Sequence, residues 1–165
     1  MPVDPELLRA VMRHWTTGVA ILAARDGARA HGMTVNAFSS VSLEPPLVLA
    51  CVERSVRTHP LVKNSGAFAI SILCQGQESV SDRFAGRDTE HENRFEGLQT
   101  FSAVTGAPIL TPNMGYLDCA VVAAHEHGTH TIFVAEVVAA KLEQCETPLV
   151  YYNRNYRRLE MTKDG

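Results

Sequence analysis

The pair Asp26-Gly27, set between the apolar runs "GVAILAAR" and "ARAHGMTVNAF", restricts this chain more than any other feature. An Asp-Gly connection supplies the positive φ that a tight turn needs, so the two runs predict adjacent antiparallel strands. A second hairpin is predicted where "YLDCAVVAAHEHGTHTIFVAEVVAAKL" turns at Gly128. Further strands are predicted at "PLVLACV" and "AFAISIL", with "PLVYYNRNYRRL" as an extended aromatic edge segment. Helices are few. Asp4 followed by Pro5 predicts a capped helix start, with Leu7, Leu8, Val11, Met12 and Trp15 on one inward face. Shorter helices are predicted around "THPLVKNSG" and "QGQESVSDRFAGR", and "DTEHENRFEGLQTF" reads as a polar connection.

The chain shows no alternation of strand and helix and no GxGxxG, which excludes a doubly wound dinucleotide fold. A sheet built of hairpins hides its edges most simply by curling on itself. The expected fold is therefore mainly β, an antiparallel barrel closed or partly closed, with peripheral helices. A length of 165 residues, 45% hydrophobic and 20% charged, suits one globular domain over residues 1–165. A net charge of -3 leaves no basic face for nucleic acid. "MPVDPELLRAVMRHW" carries charges unlike a signal peptide, and the longest apolar runs are too short to cross a bilayer, so no membrane contact is expected. Cys51, Cys74, Cys119 and Cys145 form no CxxC pair and are expected to be reduced core thiols in a cytoplasm.

The stretch Thr34 to Ser42 is unusual for a strand: Thr34, Asn36, Ser39, Ser40 and Ser42 are short neutral donors and acceptors ahead of a rigid Pro45-Pro46. Singly, such residues satisfy turn backbone. Clustered on a rigid element, they suit a planar, heteroatom-rich ligand such as a flavin, whose pyrimidine edge alternates donors and acceptors.

In this order, "HWTTGVAILAA", "GMTVNAFSSVSLEPPLVLACV", "RSVRTHPLVKNSGAFAISIL", "DRFAG", "GAPIL", "HTIFVAEV" and "PLVYYNRNYRRL" resemble the short flavin reductase family. These are the reductase components of two-component flavin monooxygenases, and they adopt an FMN-binding split β-barrel. The resemblance runs from about Val11 to Leu159. It implies that Thr34, Asn36, Ala37, Ser39, Ser40 and Val41 lie near the isoalloxazine ring or ribityl chain, many through backbone amides, and that Cys51 lines the ring pocket. Ser55 and Thr58, with Arg54 or Arg57, would seat the phosphate, where forked guanidinium donors and hydroxyls complement an anion. Arg83 and Phe84 match a second phosphate-side element, Phe84 equally readable as core.

"HEHGTH" invites a metal reading through His125, His127 and His130, but Thr129 stands where an aspartate would be needed and nothing downstream completes a set, so no metal is expected. The resemblance instead gives His130 the place beside nicotinamide and flavin, with Thr129 replacing the family's usual acid. Tyr152, Arg154 and Tyr156 would alternate onto one face of an extended segment, to meet the dinucleotide or a second subunit. The implied activity is hydride transfer from NADH or NADPH to FMN or FAD, in a homodimer that passes reduced flavin to a separate monooxygenase. The alternatives are a non-catalytic FMN-binding module and a pyridoxamine-phosphate-oxidase-like enzyme, whose basic phosphate residues are absent.

Overall fold

A computed structural model describes residues 2–88, 92–143 and 145–160. It is dominated by a seven-stranded antiparallel sheet. The strands are β2 (Ala20–Asp26), β3 (Arg29–Val35), β4 (Phe38–Leu43), β5 (Pro46–Glu53), β6 (Ala67–Ile72), β9 (Gly115–His127) and β10 (His130–Leu142). Their order across the sheet is β3-β2-β6-β9-β10-β5-β4. Strands β3 and β4 therefore occupy opposite edges, yet only Asn36 and Ala37 separate them in sequence. The three Cα–Cα steps from Val35 to Phe38 reach at most about 11 Å, so the sheet must curl until its edges meet. The Cys51 amide donates to the Ala37 carbonyl at 2.9 Å, extending the β4–β5 ladder into this corner. The edges approach without forming a ladder, which is the split-barrel architecture expected.

Both predicted hairpins form. The first uses Gly27-Ala28 as its two-residue loop, with Gly27 at φ 59 and Asp26 paired to Arg29. The second turns at Gly128-Thr129 and pairs His130 with His127. Apolar runs without alternation, such as "GVAILAA", are explained by burial on both faces. Ala20, Leu22 and Ala24 enter the barrel interior with Val48, Ala50, Val52, Phe68, Ile70 and Phe133. Val19 and Ile21 enter a second cluster outside it with Leu73, Phe84, Leu110 and Leu149. That outer cluster is covered by α3 (Glu78–Phe84) and by a small sheet of β1 (Thr17–Gly18), β11 (Val150–Tyr152) and β12 (Asn155–Arg157). Helix α2 (Thr58–Ser65) packs on β2, while β7 (Gln99–Phe101) pairs with β8 (Ile109–Thr111). Strand β7 emerges from the predicted polar connection, of which residues 89–91 lie outside the described residues.

Three expectations need correction. Helix α1 (Pro5–Met12) forms with Asp4 accepting from the Glu6 amide, but its apolar face does not pack inward. Leu7, Leu8, Val11 and Met12 are each more than half exposed and Trp15 is 70% exposed, because no described element lies over them. The terminal aromatic segment is not one extended strand. It folds back as β11 and β12 through Asn153 (φ 48) and Arg154 (φ 64), two positive-φ residues that match the twist of a tight hairpin. Finally, Cys74 and Cys145 are joined in a disulfide, their Cα atoms 6.2 Å apart. The Gln75 amide donates to the Thr147 carbonyl at 2.9 Å, so the segments after β6 and β10 lie side by side although far apart in sequence. Cys51 and Cys119 are free thiols, and burial beside Asp118 pushes Cys119 up to about 12.

Candidate active site

The corner between β3 and β4 borders two adjoining cavities. One, of about 190 Å³, is lined by Thr34, Asn36, Ser81, Arg87, Tyr151 and Tyr156 among others. The next, of about 260 Å³, shares Val19 and Asn36 and adds Trp15, Thr17 and Phe38. Asn36 is the partition between them, its amide donating to Thr17 Oγ1 at 3.2 Å. Thr34 Oγ1 donates to the Ser81 carbonyl at 2.5 Å. The far wall is a polar network on α3 and β12. The Tyr156 hydroxyl donates to Asp82 Oδ1 at 2.7 Å and lies 2.9 Å from Ser81 Oγ. Arg87 donates to Asp82 Oδ1 at 2.7 Å and to the Tyr151 hydroxyl at 3.1 Å. Burial holds the Tyr156 phenol above its ordinary value, and its bond to Asp82 adds to this. The hydrogen bond to Tyr151, followed by that to Asp82, keeps Arg87 charged.

A second group lies on the outer face of the sheet. Along β5, Val48, Ala50 and Val52 are buried inward, leaving Leu49 and Cys51 half-buried on the outer side. Ser39 pairs with Leu49 and Cys51 with Ile132, and His130 lies two residues beyond Ile132 on the same outer face. Ser39, Cys51 and His130 thus share one face, although β4, β5 and β10 supply one each. Ser40 pairs with Val48, and a register shift places Val41, 49% exposed, at a bulge on this edge strand. Thr129 Oγ1 lies 2.9 Å from His130 Nδ1, so the hydroxyl that replaces the family's acid engages the ring. Arg54 donates to the Gly128 carbonyl at 2.7 Å and pairs with Glu126 at 3.2 Å, placing it beside the same turn. Ser55 Oγ donates to Glu53 at 2.8 Å.

Other predicted residues stand apart. Thr58 is fully buried and bonded to His31 Nδ1 at 2.8 Å, while Arg57 lines a separate cavity below the β2–β3 hairpin. Arg83 donates to the Glu96 carbonyl at 2.8 Å and lies 3.6 Å from Asp88. Phe84 is a core ring, 1% exposed and edge-on to Phe95. Tyr152 does not share a face with Tyr156: Tyr156 pairs with Tyr151, whereas the Tyr152 hydroxyl lies 3.0 Å from His14 Nδ1. Arg154 sits in the hairpin turn. Sequence reasoning passed over Ser81, Asp82, Arg87 and Tyr151. The available signal was helical spacing, since Ser81 and Phe84 at i, i+3 form the buried face of α3. Among the described residues, no group of three or more His, Cys, Asp or Glu could hold a metal ion. Nor is any helix among them long and apolar enough to cross a membrane.

His31 carries a pH dependence. Burial, then the charges of Arg94 and Arg57, pushes it down from 6.5 to about 4. Between those values the unfolded chain binds the proton and the folded chain resists it. The stabilisation is therefore complete above about pH 6.5 and is lost as pH falls toward 4, in total about 2 kcal/mol after allowance for partial exposure. Urea midpoints compared at pH 7 and pH 4.5 should show this loss, and His31→Gln should flatten it.

The corner fits a flavin ring. The 260 Å³ cavity is lined only by uncharged residues, several of them apolar and Thr17 and Asn36 polar, as a neutral heteroaromatic ring requires. Strand β4 is a sheet edge, so one side of its backbone is free to pair with the ring's donors and acceptors.

Comparisons with known proteins agree with this geometry. Residues 12–160 match the family model described as flavin reductase like domain. The reductase component of 4-hydroxyphenylacetate 3-monooxygenase from Thermus thermophilus is 39% identical, covering 93% of this chain and 96% of its own length. An NADH-dependent flavin reductase from a Rhodococcus species is 36% identical, covering 96% and 91%. The structure of an NADH:FAD oxidoreductase from Streptomyces globisporus superposes with a TM-score of 0.88 at 33% identity, covering 98% of both chains. Matched over residues 12–160 and along nearly the whole length of these proteins, this split-barrel chain is a member of the flavin reductase-like family.

Proposed function

We propose that this chain is an NAD(P)H-dependent flavin reductase that takes up FMN or FAD and delivers the reduced form to a separate flavin-dependent monooxygenase in the cytoplasm. The observation that carries this reading is the uncharged cavity lined by Trp15, Thr17, Asn36 and Phe38 at the β3–β4 corner of a flavin reductase-like chain. The relatives named as monooxygenase reductase components support the partner.

A bound flavin supplies the hydride acceptor; the chain supplies binding and alignment. Asn36, fixed by Thr17, presents its amide to the ring edge, and the free backbone of β4 offers further donors. Neutral contacts orient a flavin without trapping it, which suits a ligand that must leave. If Nδ1 accepts from the Thr129 hydroxyl 2.9 Å away, His130 can donate from Nε2 to a nicotinamide carboxamide or to charge developing on the flavin. Most of the acceleration comes from holding the reacting atoms roughly 3 to 3.5 Å apart. Shape and burial support a homodimer: the bare apolar face of α1 and the exposed Val122 and Val138 on the outer sheet suit a second copy of this chain.

Oxidation of NADH dependent on added flavin tests the activity, and its absence with both flavins would overturn the reading. Replacing His130 by alanine should lower kcat about tenfold while leaving flavin affinity within about twofold. Equal losses in both would remove His130 from the nicotinamide side.

A further inference from the structure

The Cys74–Cys145 bridge stands behind both walls of the 190 Å³ corner cavity. On one side, the Cys74 amide donates to Gln77 Oε1 at 2.7 Å. Gln77 caps the start of α3, and its carbonyl accepts from the Ser81 amide at 3.0 Å. On the other side, Cys145 leads into residues 147–149, which pair with residues 73–75. Gln75 donates to Thr147 and Leu149 to Leu73, each at 2.9 Å. Strand β11 follows directly, and its pairing with β12 sets the Tyr156 hydroxyl against Ser81 and Asp82. The bridge is open to attack from one side. Cys74 is 8% exposed, whereas Cys145 is half-buried and lines a cavity of about 400 Å³ with Gly76, Glu78, Glu146 and Arg158. Arg158 offers positive charge to an approaching thiolate there, opposed by the carboxylates of Glu78 and Glu146. This cavity shares no lining residue with the corner, so a thiol can reach the bridge while the corner is occupied.

We propose that this bridge is a thiol–disulfide switch on flavin binding. Closed, it holds α3 and the β11–β12 hairpin at the spacing that grips the flavin; opened by a small thiol or dithiol, it loosens that grip. The thiolate of the reductant attacks Cys145 Sγ, forming a mixed disulfide and releasing Cys74 as a thiolate that takes a proton from water. A second thiol of the reductant then attacks the mixed disulfide, freeing Cys145 as a thiol, and the reductant leaves as its own disulfide. Two electrons and two protons enter the chain, and a small disulfide runs the same steps backward. Oxidising surroundings keep the flavin held and reducing ones release it. The proposal rests on the flavin reductase reading and adds the regulation of that site.

Titration of the full chain with FMN and with FAD, each followed by flavin fluorescence, tests it on wild type kept oxidised and on wild type reduced with dithiothreitol that is removed beforehand. Thiol counts in denaturant establish the state, two when the bridge is closed and four when it is open. Reduction should weaken flavin binding about tenfold, the size of an ordinary coupling between two sites, and oxidised glutathione should restore it. Cys145→Ser should bind at the reduced value and no longer respond to dithiothreitol. Far-UV circular dichroism should show the barrel intact in every form. Equal affinities at counts of two and four, or four thiols under both conditions, would overturn the switch while leaving the reductase reading intact. Loss of the barrel signal on reduction would overturn it too, since the bridge would then hold the whole fold. Binding of neither flavin in either state would overturn both.

Discussion

Opening the Cys74–Cys145 bridge should lower the unfolding free energy by about 4 kcal/mol, the chain-entropy expectation for a cross-link spanning 71 residues. The bridge ties the end of β6 to the segment that feeds β11, and β11 and β12 carry Tyr151 and Tyr156 into the corner cavity. Loss of stability should therefore be uneven. Amides of Val150–Arg157 should lose protection from hydrogen exchange before those of the barrel, because the small sheet then has no covalent tie and is held by its pairing to β1, its contacts with α3 and a few backbone bonds such as Leu149 to Leu73. Cys74→Ser, or wild type in dithiothreitol, should show both effects in a urea titration. An unchanged midpoint under reduction would show that the bridge closes no loop in solution.

The second large effect is expected at Gly32. A Cβ placed there would lie 2.6 Å from Phe84 Cε1 and 2.8 Å from Cδ1. Phe84 has nowhere to move: it is 1% exposed and held edge-on to Phe95 at 5.1 Å. Gly32→Val should cost about 3 kcal/mol by overpacking and push α3 off β3. Because Ser81 on α3 accepts from Thr34 and bonds Tyr156, flavin affinity should fall with stability. Adding Phe84→Leu should recover part of both, and a double-mutant cycle would report that coupling. Additive losses in the pair would show that the contact does not limit the helix's approach.

Much of the barrel was legible because its determinants are local. Gly27 and Gly128 mark their turns by the positive φ they adopt, and the doubly buried run before Asp26 has no polar alternation to mislead. The terminal hairpin was not legible in the same way, since its turn uses Asn153 and Arg154, and the arginine gives no composition signal for positive φ. The bare face of α1 obeys helical periodicity, which reports that a face is apolar but not what covers it. The disulfide depends on two distant segments lying side by side, information held by the sheet order and not by spacing. For the site, the polar run at Thr34–Ser42 contains two residues, Thr34 and Asn36, that line the corner cavities. It could not show that Thr34 and Asn36 work with α3 while Ser39 and Cys51 share their face with His130. That division follows from β3 and β4 being opposite edges of the sheet.

The meeting of those two edges has a mechanical meaning. The gap between them is the sum of every inter-strand twist and spacing accumulated around seven strands, so a small error anywhere is displayed in full at the seam. A methyl group added inside the barrel on β6, two strands from one edge and four from the other, would alter the opening beside Asn36 without touching it. The barrel wall thus acts as a vernier on its own mouth, and grip on a ligand there can be adjusted in fine steps from positions far around the circumference.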